Sequence, residues 1–277
     1  MEDILLPSTI ELTPGEDDHK ATLTIEPCFH GYGTTLGNAL RRVMLSSLPG
    51  AAVVAVKIKG VAHEFSAMPG VKEDVLEVLL NLKSLRLRVF TEGEEPIRLH
   101  LIAKGEKEVT AADIEASSDV EIANTDVHIA TLTDKKSELD MEIFIGRGRG
   151  YVPVEERSKE KNELGMISID SVFSPVRDVG YRVDNVRVGQ ITNFDKLVMT
   201  IETDGTITPE AAVDQSVKIL LDHFNLVLHR GVLPVEESAV SVQDAPPVQD
   251  EDAEPAPIVD AADEAPKKVK KAKKEKK

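Results

Sequence analysis

Residues 31–50, GYGTTLGNALRRVMLSSLPG, decide how the chain begins to fold. Apolar residues recur here at helical spacing and form one stripe, made by Leu36, Ala39, Leu40, Val43 and Met44. Thr34 or Thr35 is expected to cap the start, and the Pro49–Gly50 pair cannot continue a helix. The stretch therefore predicts an amphipathic helix over residues 34–48.

Two adjacent arginines, Arg41 and Arg42, lie in this helix. Neighbouring residues project about 100° apart around a helix of 3.6 residues per turn. The two side chains cannot both face one partner squarely, so at least one is expected beside the apolar stripe. A short helix with an apolar face and a guanidinium next to it suits docking against another protein.

The bulk composition excludes several classes of protein. A net charge of −16 argues against a general nucleic-acid binder, which needs clustered Lys and Arg. The single cysteine, Cys28, excludes an internal disulfide and a Cys-based zinc site. The acidic N-terminus predicts no signal peptide, and no run of about 18 apolar residues predicts a membrane span. We therefore expect a soluble, cytoplasmic protein.

The C-terminal residues have an unusual order of charges. Residues 244–264 hold eight acidic side chains and no basic one, and residues 265–277 hold eight lysines against Glu275. The segment is rich in Pro and Ala and shows no helical or strand period. Residues 238–277 are therefore predicted to be a disordered, acidic-then-basic tail.

Alternating apolar residues predict strands through the middle of the chain. The apolar positions are Leu85, Leu87 and Val89, then Ile97, Leu99 and Leu101, and later Leu139, Met141, Ile143 and Ile145. Similar runs return near residues 179–183 and 197–201. Residues 71–83 predict a helix, with Glu73 and Asp74 near its start and Lys83 at its end, as the helix dipole favours.

The last predicted helix covers residues 208–230. Thr208 is its expected N-cap, Pro209 occupies the first turn, and Gly231 is its expected stop. Its apolar face contains Val213, Val217, Leu220, Leu221, Phe224 and Leu228. This helix is long for a domain of this size, which favours packing against another chain. A helix that lies on its own sheet fits the pattern equally well.

No catalytic, cofactor or metal-binding residue is predicted. Gly31, Gly33 and Gly37 resemble a dinucleotide fingerprint, but the third glycine comes one residue late and no βαβ unit follows. The glycines are better explained by a tight turn into the helix. Residues 146–150, GRGRG, favour a turn over an RNA-binding segment, and the seven histidines lack a metal-site spacing.

Five separated segments resemble the bacterial RNA polymerase alpha subunit, in the same order. They are GYGTTLGNALRRVMLSSLPG (31–50), GVAHEFSAMPGVKEDVLEVLLNLK (60–83), RGRGYVP (147–153), FSPVRDVGYRVDNVRVGQ (173–190) and FDKLVMTIETDGTITPEAA (194–212). The resemblance concerns the amino-terminal assembly region of that family. The segments are long and distinctive, and together they extend over most of residues 20–230.

The resemblance implies an α+β fold of two interleaved domains. Residues 1–49 and 173–237 would form a discontinuous dimerisation domain, with helices packed on an antiparallel sheet, and residues 50–172 an inserted β-rich domain. The two helices would form a homodimer. The implied interface residues are Leu36, Leu40, Val43, Met44, Val213, Val217, Leu220, Leu221, Phe224 and Leu228.

The resemblance also implies a non-catalytic platform on which the beta and beta-prime subunits assemble. Arg42 would be the main beta-contacting arginine, with Arg41 beside it. Further implied contacts with the large subunits are His63, Glu64, Phe65 and Lys83, together with Asp170, Ser171, Pro175 and Lys196 in segments associated with beta-prime. Each protomer of a two-fold dimer would meet a different large subunit.

The chain departs from the family pattern at its C-terminus. Residues 238–277 are too short and too polar to build the small helical domain that usually grips promoter DNA. The eight lysines could give weak, non-specific attraction to DNA, or the tail could simply be solvated. Two rival hypotheses stay open at this point: a nucleotide-dependent enzyme that uses the Gly31–Gly37 turn, and a regulatory homodimer unconnected to transcription.

Overall fold

A computed structural model describes residues 4–91, 93, 95–115, 117–157, 165–189 and 191–229. The prediction of a disordered tail at residues 238–277 lies outside these residues, as does the predicted stop of the last helix at Gly231.

Within the described residues the chain forms four α-helices, one 3-10 helix (Ala111–Asp113) and fourteen strands. The strands are β1 (Thr9–Pro14), β2 (Lys20–Cys28), β3 (Pro49–Ile58), β4 (Leu87–Val89), β5 (Ile97–Lys104), β6 (Lys107–Thr110), β7 (Val120–Ile122), β8 (His128–Leu132), β9 (Glu138–Arg149), β10 (Tyr151–Val152), β11 (Met166–Ser168), β12 (Ser171–Val172), β13 (Val176–Val188) and β14 (Ile191–Thr203). The helices are α1 (Tyr32–Ser46), α2 (Val75–Lys83), α3 (Val154–Arg157) and α4 (Pro209–Leu228).

The first sheet is antiparallel and has the strand order β1-β2-β14-β13. Helices α1 and α4 pack against it and against each other. The core between helices and sheet contains Leu23, Ile25, Cys28, Leu40, Met44, Leu48, Val176, Val179, Leu197, Met199, Ile201 and Ala212. Strands β2 and β14 lie at the centre of this sheet, although more than 160 residues separate them in sequence.

The second sheet is larger and has its own core. Its strand order is β5-β9-β3-β4-β7. Strand β11 pairs with residues 55–57 of β3, beyond the point where β4 pairs with it. Helix α2 and the short β6–β8 pair contribute to the core, whose buried residues run from Val53 to Ile169. The chain enters this region at Gly50 and leaves it at Phe173. These two points touch, since a Cβ on Gly50 would collide with the Phe173 carbonyl oxygen.

This architecture confirms the α+β fold class, with helices packed on an antiparallel sheet and a second β-rich core. The two cores divide the chain near residues 50 and 173, and the exact domain boundaries given above stay a prediction.

Two helix starts differ from the expectation. Helix α1 begins at Tyr32 with Gly31 as N-cap, in the left-handed region at φ 83°, so neither Thr34 nor Thr35 caps it. Helix α2 begins at Val75 instead of residue 71. Its N-cap is Asp74, whose carboxylate accepts a 2.8 Å bond from the Glu77 N–H. Residues 71–74 are extended because Val71 bridges to Leu132 and Asp74 bridges to Ala67.

Helix α1 lies unusually close to the sheet, and glycines make this approach possible. A Cβ placed on Gly37 would lie 2.7 Å from the Tyr181 ring and 2.9 Å from a Leu197 methyl group. One on Gly33 would lie 3.0 Å from Val183 and from Asp195. Side chains at these positions would push the helix off β13 and β14.

The substitution Gly37→Ala tests this approach. Alanine is favoured over glycine inside a helix by about 1 kcal/mol, but the added methyl group overpacks the contact and should destabilise the protein by about 1–3 kcal/mol overall. Urea unfolding measures the change, with Asn38→Ala on the exposed side of α1 as control. A Gly37→Ala protein more stable than wild type would contradict the close approach.

Candidate assembly surfaces

The N-terminus of α1 is held by a carboxylate from the far end of the chain. The buried Asp195 of β14 accepts hydrogen bonds from the backbone N–H groups of Gly31 at 2.9 Å and Gly33 at 3.1 Å. A negative charge here satisfies N–H groups that lack a helical partner and complements the helix dipole. The anion position that a nucleotide phosphate would need is therefore filled by the protein's own side chain.

The inner face of α1 is occupied within the protomer. Leu40 is buried, and Met44 is 0 % exposed in the first core, whereas Leu36 and Val43 are half-buried. The expectation that Leu40 and Met44 form a dimer interface is corrected, because their side chains pack on the sheet of their own chain. Helical spacing identifies an apolar stripe but not which neighbour covers it.

Arg41 and Arg42 lie on the exposed side of α1. Neither guanidinium makes a hydrogen bond or ion pair with another residue in the described part of the chain. An arginine offers five N–H donors in a rigid fork, which suits carboxylates or backbone carbonyls of a partner. Both side chains thus remain available to a second protein.

Helix α4 changes character along its length. Ala212 and Ser216 are fully buried against the first sheet, and Val213 and Leu220 are half-buried beside them. The N-cap is Thr208, as expected, since its hydroxyl accepts a 3.2 Å bond from the Ala211 N–H. The first half of α4 therefore lies on its own sheet.

The second half of α4 carries large apolar side chains that nothing described covers. Phe224 is 63 % exposed and Val227 75 %, and Leu221 and Leu228 are also exposed. Leu221, Val227 and Leu228 each lie three or four residues from Phe224, so each is its neighbour on the helix surface. We call Leu221, Phe224, Val227 and Leu228 the α4 patch. Contiguous exposed apolar patches of this kind mark interaction sites.

A second exposed surface begins at the loop that holds His63, Glu64 and Phe65. Phe65 is 78 % exposed, His63 is exposed with its Nδ1 3.2 Å from the Ser66 hydroxyl, and Glu64 is half-buried. The loop returns to α2 through a 3.2 Å bond from the Val75 N–H to the Ser66 carbonyl.

The buried carboxylate of Glu73 anchors the base of this loop. It accepts bonds from the Thr131 N–H at 2.6 Å and the Thr131 hydroxyl at 2.8 Å, and His128 Nε2 lies 3.1 Å away. Burial alone would raise the pKa of Glu73, but the Thr131 donors and His128 together hold this pKa below its ordinary value. The geometry therefore stabilises the charged form.

A groove connects this loop to the end of α2. It has a volume of about 530 Å³ and is lined by Glu64, Leu76, Leu80, Lys83 and Asp170, among others. Leu76 and Leu80 are exposed on α2. The structure thus brings together three residues predicted to contact the large subunits, Glu64, Lys83 and Asp170.

At the end of the groove away from the loop, the positive charge of Lys83 is paired with the negative charge of Asp170. Lys83 Nζ lies 3.4 Å from Asp170 Oδ2 and 5.6 Å from the centre of the Tyr151 ring. A 3.0 Å bond from the Val154 N–H and the neighbouring Lys83 hold the pKa of Asp170 below its ordinary value. Desolvation and the adjacent Asp170 carboxylate raise the pKa of Tyr151. Both groups therefore keep their usual charge near neutral pH.

Three other predicted contact residues lie elsewhere. Ser171 is 1 % exposed, and its hydroxyl donates to the Val53 carbonyl at 2.6 Å and accepts from Arg157 at 2.8 Å. The prediction that Ser171 contacts a large subunit is therefore corrected, because its side chain lies in the interior of its own chain. Pro175 is buried too, and this prediction is corrected for the same reason. Lys196 lies on the first sheet, half-buried, and pairs with Glu26 at 2.9 Å.

The described residues contain no group of three or more His, Cys, Asp or Glu side chains arranged to hold a metal ion. None of the helices in these residues has the length and apolar character needed to cross a membrane.

Comparison with known proteins defines the class of the second core. The sequence model of the RNA polymerase Rpb3/RpoA insert domain matches residues 56–174, the part of the chain that forms the second sheet. The fold is thus that of an antiparallel, helix-covered sheet carrying an insert domain of this class.

Full-length relatives identify the family. The chain is 54 % identical over 205 residues to the DNA-directed RNA polymerase subunit alpha of Alkaliphilus oremlandii, a match that covers 74 % of this chain and 64 % of the relative. It is 51 % identical over 213 residues to that of Alkaliphilus metalliredigens and 50 % identical over 213 residues to that of Symbiobacterium thermophilum, covering 77 % of this chain and 67 % of each relative. The chain belongs to the family of DNA-directed RNA polymerase alpha subunits. Its matched part spans about two thirds of the length of these relatives.

The substitution Glu73→Gln tests the anchor of the exposed loop. A carboxylate whose pKa is lowered by folding stabilises the protein above its unfolded pKa of about 4.3, and this stability is lost as the pH falls through the folded value. The free energy of unfolding of the variant should be about 1–3 kcal/mol lower than that of the wild type at pH 7. As the pH falls below about 5, it should decrease less than that of the wild type.

Urea unfolding at several pH values measures both effects. Glu108→Gln is the matched control, because the exposed Glu108 lies 2.9 Å from the other nitrogen of His128. Equal stability of the two variants at pH 7 would contradict the anchoring role of Glu73.

Proposed function

We propose that two copies of this chain form a homodimer that serves as the platform for assembling the beta and beta-prime subunits of DNA-directed RNA polymerase. The chain itself supplies no catalytic residue in this proposal. The observation that carries it is the α4 patch, a set of exposed apolar side chains on the second half of a helix whose first half is packed in the first core. The cytoplasm is the proposed location.

The α4 patch supports a second copy as its partner. Burial of apolar surface is worth roughly 25 cal/mol per Å², so an aromatic ring and three aliphatic side chains on one helix favour association strongly. In a two-fold dimer the same patch is present on both subunits and is self-complementary. The half-buried Leu36, Val43, Val213 and Leu220, with the more exposed Val217, continue the proposed interface beside it.

Two-fold symmetry also bears on how large subunits would bind. A symmetric dimer offers each surface twice, yet beta and beta-prime differ. One protomer would therefore meet beta and the other beta-prime, and half of the available contacts would remain unused.

The proposed contacts with the large subunits fall into two groups. Arg42, with Arg41 beside it, would contact beta, because both guanidiniums are exposed and lack a partner among the described residues. The loop at His63 and Phe65 and the groove lined by Glu64, Lys83 and Asp170 would form a second contact area. Lys196 would contribute from the first sheet, although its ion pair with Glu26 would compete.

Substitution of Phe224 by serine tests the homodimer. Loss of a central aromatic anchor at an interface typically costs 2 kcal/mol or more, so the dimer dissociation constant should rise by about 30-fold or more. Sedimentation equilibrium measures it, with Lys218→Ala on the exposed side of the same helix as control. Wild-type protein that sediments as a monomer at micromolar concentration would refute the homodimer.

Substitution of Arg42 by alanine tests the platform. The variant should remain a folded dimer but bind the beta subunit more weakly, since truncating a charge buried at an interface costs about 2–5 kcal/mol. Co-purification from cells that express tagged beta measures the effect, with Arg98→Ala on the second sheet as control. Undiminished capture of beta by the variant would contradict this role, and a pull-down without large subunits would favour an unrelated regulatory dimer.

A further inference from the structure

The turn that leads into α4 is a tight, polar structure. It comprises residues 204–206, between the end of β14 and the N-cap Thr208. Asp204 Oδ1 accepts bonds from the Thr206 N–H at 2.9 Å and the Thr206 hydroxyl at 2.5 Å, and the Asp204 N–H donates to the Pro175 carbonyl at 3.0 Å. Gly205 has φ 94°, a conformation that other residues rarely adopt. The chain passes from β14 into α4 at this turn.

An arginine of the second sheet holds the carbonyl groups of this turn. Arg88 lies in β4, and its Nε donates to the Thr206 carbonyl at 2.8 Å. Its Nη2 lies 3.5 Å from the Gly205 carbonyl, and its Nη1 lies 3.3 Å from Glu121 of β7. One guanidinium thus connects two strands of the second sheet to the base of α4.

A second arginine of the same strand region faces the turn from the side. Arg86 Nε lies 3.9 Å from Asp204 Oδ2. The Asp204 side chain is buried and that of Arg86 is mostly buried, so solvent screens this pair less than a surface pair. Its long distance makes it the weaker of the two contacts.

The base of α4 is packed in the first core, but the second sheet packs against it only in part. An open cleft of about 220 Å³ lies beside the turn, lined by Ala51, Leu87, Pro175, Ile207 and Gln215, among others. Side chains on opposite sides of an open cleft do not pack against each other across it. The polar contacts from Arg88 therefore add a direct restraint from the second sheet on this turn.

We propose that Arg88, assisted by Arg86, is a positioning residue for α4: the second sheet sets the direction of the helix that presents the α4 patch. This inference rests on the proposed homodimer. The insert region would then act on assembly in two ways, through its own exposed loop and through the geometry of the dimer surface.

The length of α4 makes its direction sensitive to the turn. Phe224 follows Thr208 by sixteen residues, which is about 24 Å at 1.5 Å per residue. A tilt of about 5° at the turn moves Phe224 by about 2 Å over this length. A gap of 0.5–1 Å already loses a quarter to a half of a van der Waals contact. A small rotation at the turn therefore weakens a closely packed dimer.

The test compares Arg88→Gln with Arg98→Gln in the full chain. Arg98 belongs to β5 of the same sheet, pairs with Glu142 at 3.8 Å and makes no contact with the turn. Arg88→Gln should raise the dimer dissociation constant by about tenfold, because a tilted α4 loses part of the van der Waals contact at the patch. Arg98→Gln should leave it within about twofold, and circular dichroism checks that both variants are folded.

A distance measurement separates positioning from general loss of stability. Spin labels on Lys218→Cys, an exposed site of α4, report the separation of the two helices in a dimer, while the native Cys28 is buried and unreactive. Arg88→Gln should shift or broaden this distance distribution by about 2 Å. Arg88→Lys should restore it only in part, because an ammonium cannot reproduce the fork of a guanidinium.

The possible results distinguish this inference from the proposed function. Wild-type protein without an intermolecular distance signal would refute the homodimer itself. A dimeric wild type, with Arg88→Gln equal to Arg98→Gln in both affinity and distance distribution, would overturn the positioning role alone. A loss of affinity with an unchanged distance distribution would also overturn it.

Discussion

The contact between Asp195 and the start of α1 is the constraint on which the rest of the fold depends. It joins residues 31 and 195, which lie on either side of the whole inserted region in sequence. The same carboxylate satisfies two backbone donors and lies beneath a helix that glycines bring close to β14. This contact and the β2–β14 pairing fix α1 on its sheet, leaving Arg41 and Arg42 on the outer side and sending the chain directly into β3.

Local sequence pattern was sufficient for most of the secondary structure. The alternating runs around Ile97 and Met141 form strands, and Thr208 with Pro209 begins α4, because these signals depend on residues near one another. The predicted start of α1 was wrong because the carboxylate that accepts bonds from its first N–H groups belongs to Asp195, which is far away in sequence. The predicted start of α2 at residue 71 was wrong because Val71 bridges to Leu132 of β8 and Asp74 bridges to Ala67, contacts that no local pattern reveals.

The sequence predicted which types of residue form the candidate surfaces, but it did not predict which of these residues are exposed to solvent. Arg42 and Phe65 are exposed, as partner-binding residues must be, whereas Leu40, Met44 and Ser171 belong to the interior. A periodic pattern gives the face of a helix or strand, but the packing of distant elements decides whether that face meets solvent. Val227 and the Glu73 anchor were missed for the same reason, since their significance depends on what lies beside them in space.

The meeting of Gly50 and Phe173 has a consequence for how this family can vary. The chain leaves the first sheet and returns to it at one place. For the first sheet, the insertion is therefore equivalent to a loop whose two ends are already in contact. The entropy of closing such a loop grows slowly, by about 0.6 kcal/mol for each doubling of its length. Evolution could therefore enlarge, shrink or replace the insertion at little thermodynamic cost to the part of the molecule from which it emerges.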